Sequence, residues 1–276
     1  MDFQLSDATQ VAQHSQLVEE LFGERTDNAA NSKIVLPFTV RAVRTDSDLR
    51  KALRLRATCY GHHFGDTSTS YENPEAEDLD PGSILFLAES KDTGEAVGCL
   101  RFMTNSHNQL NIQKHVALPS EITNHHIADI RRLSVVKGRS GRQVKLALFK
   151  AVYLHAVAMQ VRYLVIGARA PLIRDYLALY FQDIFPEELT VELLGKPHRV
   201  LYFDVSKAER EWRERGNRWY ETIFHSFHPD IELYRALRPT WLRRRADDPP
   251  HSSPPARVPA HSASVNMLMP SSAYIS

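Results

Sequence analysis

The sequence predicts an α/β (α+β) fold in which helices flank a mixed β-sheet. Strand-like and helix-like segments alternate along most of the chain, and the composition is 43% hydrophobic and 24% charged, as in a globular domain. No apolar run reaches the ~18 residues that a membrane span needs. The chain start also lacks the basic segment and apolar core of a secretory signal. We therefore expect a soluble, cytoplasmic protein.

The first two predicted elements are a strand and a helix. Residues 37–43 (PFTVRAV) alternate between apolar and polar side chains, as a half-buried strand does. Residues 46–60 are typical of a helix, because Asp46 can cap the N-terminus and one face is apolar. That face carries Leu49, Leu53 and Ala57.

A long loop and a hairpin follow this helix. The segment 61–82 is polar and rich in turn-forming residues, so we expect a loop there. Residues 83–90 (SILFLAES) form an apolar run of strand length. The turn Thr93-Gly94 joins this run to a second strand at 96–103, which completes the hairpin.

The second half of the core continues the alternation of strands and helices. After an irregular stretch come a strand at 130–136, a helix at 144–160 and a buried strand at 163–167 (YLVIG). A proline in its first turn predicts a further helix at 171–185. Two last strands lie around the turn GKPH, at 190–194 and 200–205.

The two ends of the chain differ from this core. We divide the chain into an N-terminal arm or helix at 1–33, a core at 34–205, a C-terminal helical extension at 206–245 and a tail at 246–276. The tail is rich in Pro and Ser and has no periodicity, so it cannot bury enough apolar surface to offset chain entropy. We expect the tail to be disordered.

Charge and cysteine content argue against several kinds of site. The 34 Lys and Arg residues nearly balance the 33 Asp and Glu residues, so no overall field favours nucleic acid. Cys59 and Cys99 lack metal-ligand spacing. The adjacent histidine pairs at 62–63 and 125–126 lack the i, i+4 arrangement of a helical zinc site. We expect neither a metal site nor a nucleic-acid partner.

A basic turn between a strand and a helix carries the first functional signal. Gly138 and Gly141 lie in the turn KGRSGRQ, which follows the strand 130–136. Backbone N–H groups at such a turn bind phosphate, and the helix dipole also favours an anion there. Four basic residues surround the turn: Lys137, Arg139, Arg142 and Lys145.

The order of elements and several short motifs resemble the acetyltransferase-like (GNAT) fold. Within that fold the chain resembles the long-chain N-acyl amino acid synthases and the related acyl-homoserine-lactone autoinducer synthases, over roughly residues 38–205. The motifs are an arginine followed by an aromatic residue in the early helix (Arg54 to Tyr60), an acidic pair before a strand (Asp78-Leu79-Asp80), a Gly-x-x-Arg strand (Gly98 to Arg101) and a central-strand motif (Asp129 to Leu133).

The chain departs from the pattern of these families at specific positions. Asp129 stands where the families usually have Glu, and Arg131 stands where Ser is common. The segment 60–80 has no tryptophan pair, which the autoinducer synthases use to shape their S-adenosylmethionine site. The missing tryptophan pair favours the N-acyl amino acid synthases, whereas Asp129 and Arg131 depart from the pattern of both families.

The resemblance implies a donor with a phosphopantetheine arm and no tightly bound cofactor. Acetyl-CoA enzymes of this fold have further glycines in the phosphate turn, where this chain has Gln143 and Lys145, so a diphosphate approaches the backbone less easily. Acyl carrier protein brings one phosphate and an acidic surface, which suits the basic turn. Acyl-CoA is the alternative donor. The residues expected to contact the donor are Val135, Arg139, Gly141, Arg142 and Lys145.

The resemblance also implies roles for charged residues. Arginine binds a carboxylate through a bidentate fork. Arg101 and Arg132 lie on adjacent predicted strands, so we expect them to converge and hold the carboxylate of an amino acid, with Arg56 joining from the early helix. Asp129 and Asp80 are candidates for the general base or for orienting an arginine. Arg132 is assigned to catalysis with these two aspartates. A salt bridge between Asp129 and Arg101 is the structural alternative.

Together these features predict an N-acyltransferase that moves a long-chain acyl group from acyl carrier protein to the α-amine of an amino acid. An acyl-CoA-dependent N-acetyltransferase of a small amine stays open, as does a non-catalytic acyl- or lipid-binding protein of the same fold. The aromatic extension 206–245 suits a helical cap, a wall of an acyl tunnel or a peripheral membrane contact.

Overall fold

A central sheet with helices on both faces makes up the structure. None of its described helices is long and apolar enough to cross a membrane. The predicted arm at 1–33 and the predicted tail at 246–276 lie outside the described residues. The computed structural model describes residues 35–64, 71–170, 172–185, 189–193 and 195–232.

The sheet has eight strands. They are β1 (Phe38–Ala42), β2 (Ser83–Ser90), β3 (Ala96–Thr104), β4 (Ile127–Val135), β5 (Tyr163–Ala168), β6 (Gln182–Asp183), β7 (Thr190–Leu193) and β8 (Lys196–Asp204). Their order across the sheet is β1-β2-β3-β4-β5-β8-β6, and β7 pairs with β8 off this path. All neighbours among these strands run antiparallel except β4 and β5, which run parallel.

Helices and short helical turns connect these strands. The α-helices are α1 (Asp46–Phe64), α2 (Ser120–Thr123), α3 (Arg139–Ala158), α4 (Ile173–Ala178) and α5 (Ala208–Glu214). Short 3₁₀ helices lie at Ala76–Leu79 and Asn111–Lys114, and a π-helical turn lies at Glu221–His225. This architecture confirms the predicted class, a mixed sheet flanked by helices.

The alternation of side chains along β3 assigns the two faces of the sheet. Leu100 and Phe102 belong to the core that includes α3, whereas Cys99 packs with the apolar face of α1. Gly98 allows α3 to approach, because a Cβ at this position would lie 2.4 Å from Val144 Cγ1. Arg101 therefore points, like Cys99, to the α1 face.

Several element boundaries differ from the sequence prediction. The predicted helix 144–160 begins at Arg139, so most of the turn KGRSGRQ is helical, and the predicted strand 200–205 begins at Lys196. Strand β4 begins at Ile127 and places a buried aspartate, Asp129, inside the sheet, where strand propensity disfavours it. The expected loop 61–82 contains the end of α1 and a 3₁₀ helix. The predicted helix 171–185 ends early, because Tyr180 has a φ of 61° and its chain then turns into β6.

The described part of the C-terminal extension packs on the sheet. The backbone at Val40 in the edge strand β1 exchanges hydrogen bonds with Asp230 O (2.7 Å) and Glu232 N (2.8 Å). The buried Lys150 of α3 donates to Thr222 O at 2.7 Å. Trp212 is fully buried and stacks on Phe149 of α3. These contacts fit the helical cap among the three predicted roles.

Candidate active site

A β-bulge in β4 sets the direction of the charged side chains. Arg101 pairs with Arg131 and Cys99 pairs with Ser134, so a step of two residues in β3 faces a step of three in β4. The bulge contains Arg132, whose φ of 59° lies in the left-handed region. In a regular strand Arg132 would point away from the face that carries Arg131. The bulge instead directs Arg132 to the same face as Arg101.

The bulge completes a buried network of arginines and carboxylates on the α1 face. Arg56 donates to both oxygens of Asp78 at 2.7 and 2.8 Å. Arg101 Nη1 donates to Asp78 at 3.0 Å and to Glu75 at 2.8 Å. Arg132 Nε donates to Glu75 at 2.8 Å, and its Nη2 contacts the second oxygen of Glu75. The three arginines are 0%, 1% and 8% exposed.

The network is held by opposite charges in a buried setting. Burial is the largest single influence on Asp78 and acts to raise its pKa, but the hydrogen bonds and charge of Arg56, together with the charge of Arg101, outweigh it and hold that pKa below its usual range. Glu75 behaves in the same way, with Arg132 as its main partner. The Arg132 guanidinium also lies over two rings, 5.4 Å from the centroid of Tyr60 and 5.1 Å from that of Tyr71.

The structure brings together the three arginines that the sequence analysis selected. Each of them, however, already binds a carboxylate of the chain itself, and Arg56 and Arg101 are almost fully buried, so neither of these two is free to hold the carboxylate of a substrate. Arg101 pairs with Asp78 and Glu75, and the alternative salt bridge to Asp129 is not formed. The roles proposed for Arg56 and Arg101 in substrate binding therefore find no support in this geometry.

A cleft opens where β4 and β5 separate. The parallel ladder between these strands ends at Asp129 and Val165. Beyond that point β4 continues along β3 and β5 continues along β8, so the two strands diverge. The cleft between them has a volume of about 90 Å³ and is lined by residues of both strands, by Tyr60 of α1 and by His198 of β8.

Asp129 lies at the inner end of this cleft. It is 2% exposed, and neither carboxyl oxygen reaches hydrogen-bonding geometry with a described residue, although the N–H of Ile112 lies near it. The nearest cation is Arg131, whose Nε is 3.9 Å from Oδ2. Burial raises the pKa of Asp129 more than the charges of Arg131 and Arg101 lower it. A carboxyl group in this state suits proton transfer.

Asp80 lies outside the arginine network. Its carboxylate accepts a hydrogen bond from the backbone N–H of Gly82 at 2.7 Å and another from Asn108. The other member of the predicted acidic pair, Asp78, is the one that belongs to the arginine network. The second carboxylate of the network, Glu75, was missed by the sequence analysis, because it lies in a polar segment whose pattern predicts only a turn.

The predicted phosphate turn leads directly into α3. Gly138 has a φ of 121°, and a Cβ at Gly141 would lie 2.7 Å from Val136 O, so both positions require glycine. Lys137 and Arg142 are exposed at this turn, whereas Lys145 forms an ion pair with Asp175. Val135, the last residue of β4, accepts a hydrogen bond from the Cys59 thiol at 3.7 Å. Arg139 is the first residue of α3.

The described residues offer neither a group of metal ligands nor a reactive thiol at Cys99. Among the described residues no group of three or more His, Cys, Asp and Glu side chains could hold a metal ion. The thiol of Cys99 is fully buried, and burial raises its pKa to about 12, so it is unsuited to nucleophilic attack.

We expect Asp78→Asn to lower the free energy of unfolding by about 3–5 kcal/mol, because it leaves buried guanidinium charges without a partner. Urea unfolding measures the loss. Because the pKa of Asp78 is lower in the fold than in the unfolded chain, its ion pairs stabilise the fold fully above the pKa of an unfolded Asp. This stabilisation is lost as the pH falls through the pKa of Asp78 in the fold. The difference from wild type should therefore narrow below pH ~4.

A surface ion pair provides the control for this variant. Asp175 pairs with Lys145, and its side chain is 51% exposed. Asp175→Asn should change the free energy of unfolding by at most ~1 kcal/mol. Equal losses in the two variants would contradict a special role for the buried network.

The raised pKa of Asp129 predicts the opposite pH dependence. An unfolded Asp ionises at a lower pH than Asp129 does in the fold, so this residue makes wild-type stability fall as the pH rises from ~4 through the folded pKa. Asp129→Asn removes that fall. The free energy of unfolding of the variant, relative to wild type, should increase as the pH rises above about 4. A difference that is constant with pH would contradict a raised pKa.

Comparisons with known proteins agree with this fold. Residues 51–204 match the family of the N-acyl amino acid synthase FeeM. The structure of FeeM, from uncultured soil microbes, has a TM-score of 0.51 and 14% sequence identity, and the match covers 64% of this chain and 96% of that chain. The structure of BjaI, a CoA-dependent acyl-homoserine lactone synthase, with MTA has a TM-score of 0.51 and 13% identity, covering 76% of this chain and 99% of that chain. A comparison with curated proteins gives no match. The chain belongs to the N-acyl amino acid synthase FeeM family and is an acyltransferase of the acetyltransferase-like fold.

Proposed function

We propose that this acyltransferase moves a long-chain fatty acyl group from acyl carrier protein to the α-amine of an amino acid. The observation that carries the proposal is the cleft between β4 and β5, with the buried Asp129 at its inner end. Membership of the FeeM family supports acyl transfer to an amine. The charge distribution around the cleft supports the donor and the acceptor.

The cleft suits the phosphopantetheine arm of the donor. Beyond Asp129 and Val165 the facing edges of β4 and β5 have no ladder to each other. Backbone groups at such edges form hydrogen bonds to an extended ligand, as an added strand does. The phosphate of the arm then lies at the N-terminus of α3, near Gly141 and the exposed Arg142.

The reaction follows from the position of Asp129. The neutral amine attacks the thioester carbonyl carbon and forms the C–N bond, and a backbone N–H near the end of β4, within 133–136, stabilises the oxyanion. Asp129 accepts the amine proton as the tetrahedral intermediate forms. When the C–S bond breaks, that proton passes to the thiolate, which leaves as a thiol. Asp129 is suited to both steps because its pKa lies above the usual range.

Arg132 acts in this scheme by positioning. It fixes the bulge through Glu75, and the bulge sets the backbone direction at the end of β4. Asp80 has no part in the proposed steps, since its oxygens bind Gly82 and Asn108. Its predicted catalytic role stays a prediction.

A product assay tests the proposed function. The purified full chain is incubated with acyl carrier protein that carries long-chain acyl groups, and with a mixture of amino acids. Mass spectrometry should detect N-acyl amino acids, and Asp129→Asn should reduce their rate of formation by about 100-fold or more while the chain stays folded. Acyl-CoA is tested in parallel. Product from acyl-CoA alone would overturn the carrier-protein donor, and acyl binding without any product would indicate a non-catalytic protein.

The basic turn predicts how the carrier protein docks. Lys137→Glu combined with Arg142→Glu should raise KM for acylated carrier protein, because carrier proteins are acidic and opposite charges at an interface favour association. A small acyl-pantetheine thioester has no protein surface, so its kinetics should change much less. The effect on the carrier protein should shrink in high salt, because the screening length is already ~8 Å at physiological ionic strength.

A charge reversal elsewhere serves as the matched control. Arg210→Glu with Arg213→Glu changes the same charge at exposed positions on α5. This variant should resemble wild type with both donors. If the Lys137 and Arg142 variant loses activity equally with both donors, these residues hold the phosphate or the fold, and docking is the wrong explanation.

A further inference from the structure

The acceptor needs a cation that the arginine network does not provide. Asp78 and Glu75 bind all three arginines of that network, two of them almost fully buried. A substrate carboxylate would compete at these arginines with a carboxylate of the chain. Arg132 also lines the cleft, with its Nε and Nη2 bound to Glu75, so Arg131 and Arg169 are the cleft arginines outside the network.

Arg131 lies in the cleft and has unused hydrogen-bonding capacity. It lines the cleft from β4, and its side chain is 16% exposed. Its guanidinium donates no hydrogen bond to any residue in the described ranges. Its one ion pair there, with Asp129, has an Nε–Oδ2 distance of 3.9 Å, which is too long for a hydrogen bond.

A second arginine faces the same part of the cleft from β5. Arg169 follows the last residue of β5 and lines the cleft opposite β4. His198 of β8 also lines the cleft, and its Nδ1 donates to Lys196 O at 2.8 Å. Burial lowers the pKa of His198, and the charges of Arg169 and Arg131 lower it further. Both guanidinium groups therefore act on one neutral imidazole, and the local potential is positive.

We propose that Arg131, with Arg169 across the cleft, forms the site that binds the α-carboxylate of the acceptor. This assignment rests on the proposed function and deepens it, because it makes the enzyme select amino acids over simple amines. Asp129 and Arg131 are two residues apart on one face of β4. In an α-amino acid a single carbon carries both the amine and the carboxylate. An amine placed at Asp129 thus brings the carboxylate to the Arg131 guanidinium.

Paired acceptors test this assignment. The probes are an amino acid that the product assay identifies and its α-carboxamide, which keeps the amine and the side chain but has no negative charge. Arg131→Gln should raise KM for the amino acid about tenfold or more with little change in kcat, because a charge-assisted hydrogen bond is lost before the reaction step. KM for the carboxamide should change less than about twofold. Arg131→Lys should retain part of the preference for the amino acid.

A control variant and a binding measurement separate the outcomes. Arg162→Gln changes an arginine at the start of β5 that pairs with Asp204 away from the cleft, and it should leave the preference unchanged. Thermal shift with the amino acid alone reports binding without turnover, and the shift should be lost in Arg131→Gln. Equal changes of KM for both acceptors would overturn the assignment, and so would an unchanged preference. Absence of amine acylation by the wild type with every donor would instead overturn the proposed function.

Discussion

The extra residue in β4 is the constraint on which the charged groups of the cleft depend. Because of the bulge, Arg132 lies on the same face as Arg101 instead of entering the core beneath α3. A non-glycine residue in the left-handed region costs roughly 1–3 kcal/mol. The ion pair with Glu75 and the stacking on Tyr60 and Tyr71 offset this cost. The segment before β2 thus holds the bulge from outside the sheet.

The strand β4 carries both tightly and loosely paired charges on one face. Arg132 binds Glu75 through Nε and Nη2, whereas Asp129 and Arg131, only a few positions away, lie 3.9 Å apart without a hydrogen bond between them. A buried carboxyl group without a close hydrogen bond is costly, and the fold could remove that cost by an apolar substitution. The fold retains the group at the one point where β4 and β5 separate, which is the physical reason for assigning chemistry to Asp129 and structure to Arg132.

Local patterns predicted the strands, but pairing between distant segments decided the site. The apolar run 83–90 forms β2 with the predicted bounds. A short continuous apolar run predicts a buried strand from the local sequence alone, without knowledge of the neighbouring strands. The convergence of Arg56, Arg101 and Arg132 followed from a resemblance of motifs. The positive φ of Arg132 could not be predicted, since arginine has no preference for that conformation and the register with β3 imposes it. Glu75 was missed for the same reason: its partners are distant in sequence.

The network and the cleft are coupled through charge as well as through the bulge. Three arginines face two carboxylates in the network, so a positive charge remains buried beside the cleft. Burial raises the pKa of Asp129, Arg131 in the cleft lowers it, and Arg101 and Arg132 lower it further from within the network. The residual positive charge of the network therefore limits the rise. A fully neutral network would leave Asp129 protonated over a wider pH range. An apolar replacement of these arginines would therefore raise the pKa of Asp129 through the loss of charge, without a change at Asp129 itself. The buried arginines thus affect the reaction while binding only the chain itself.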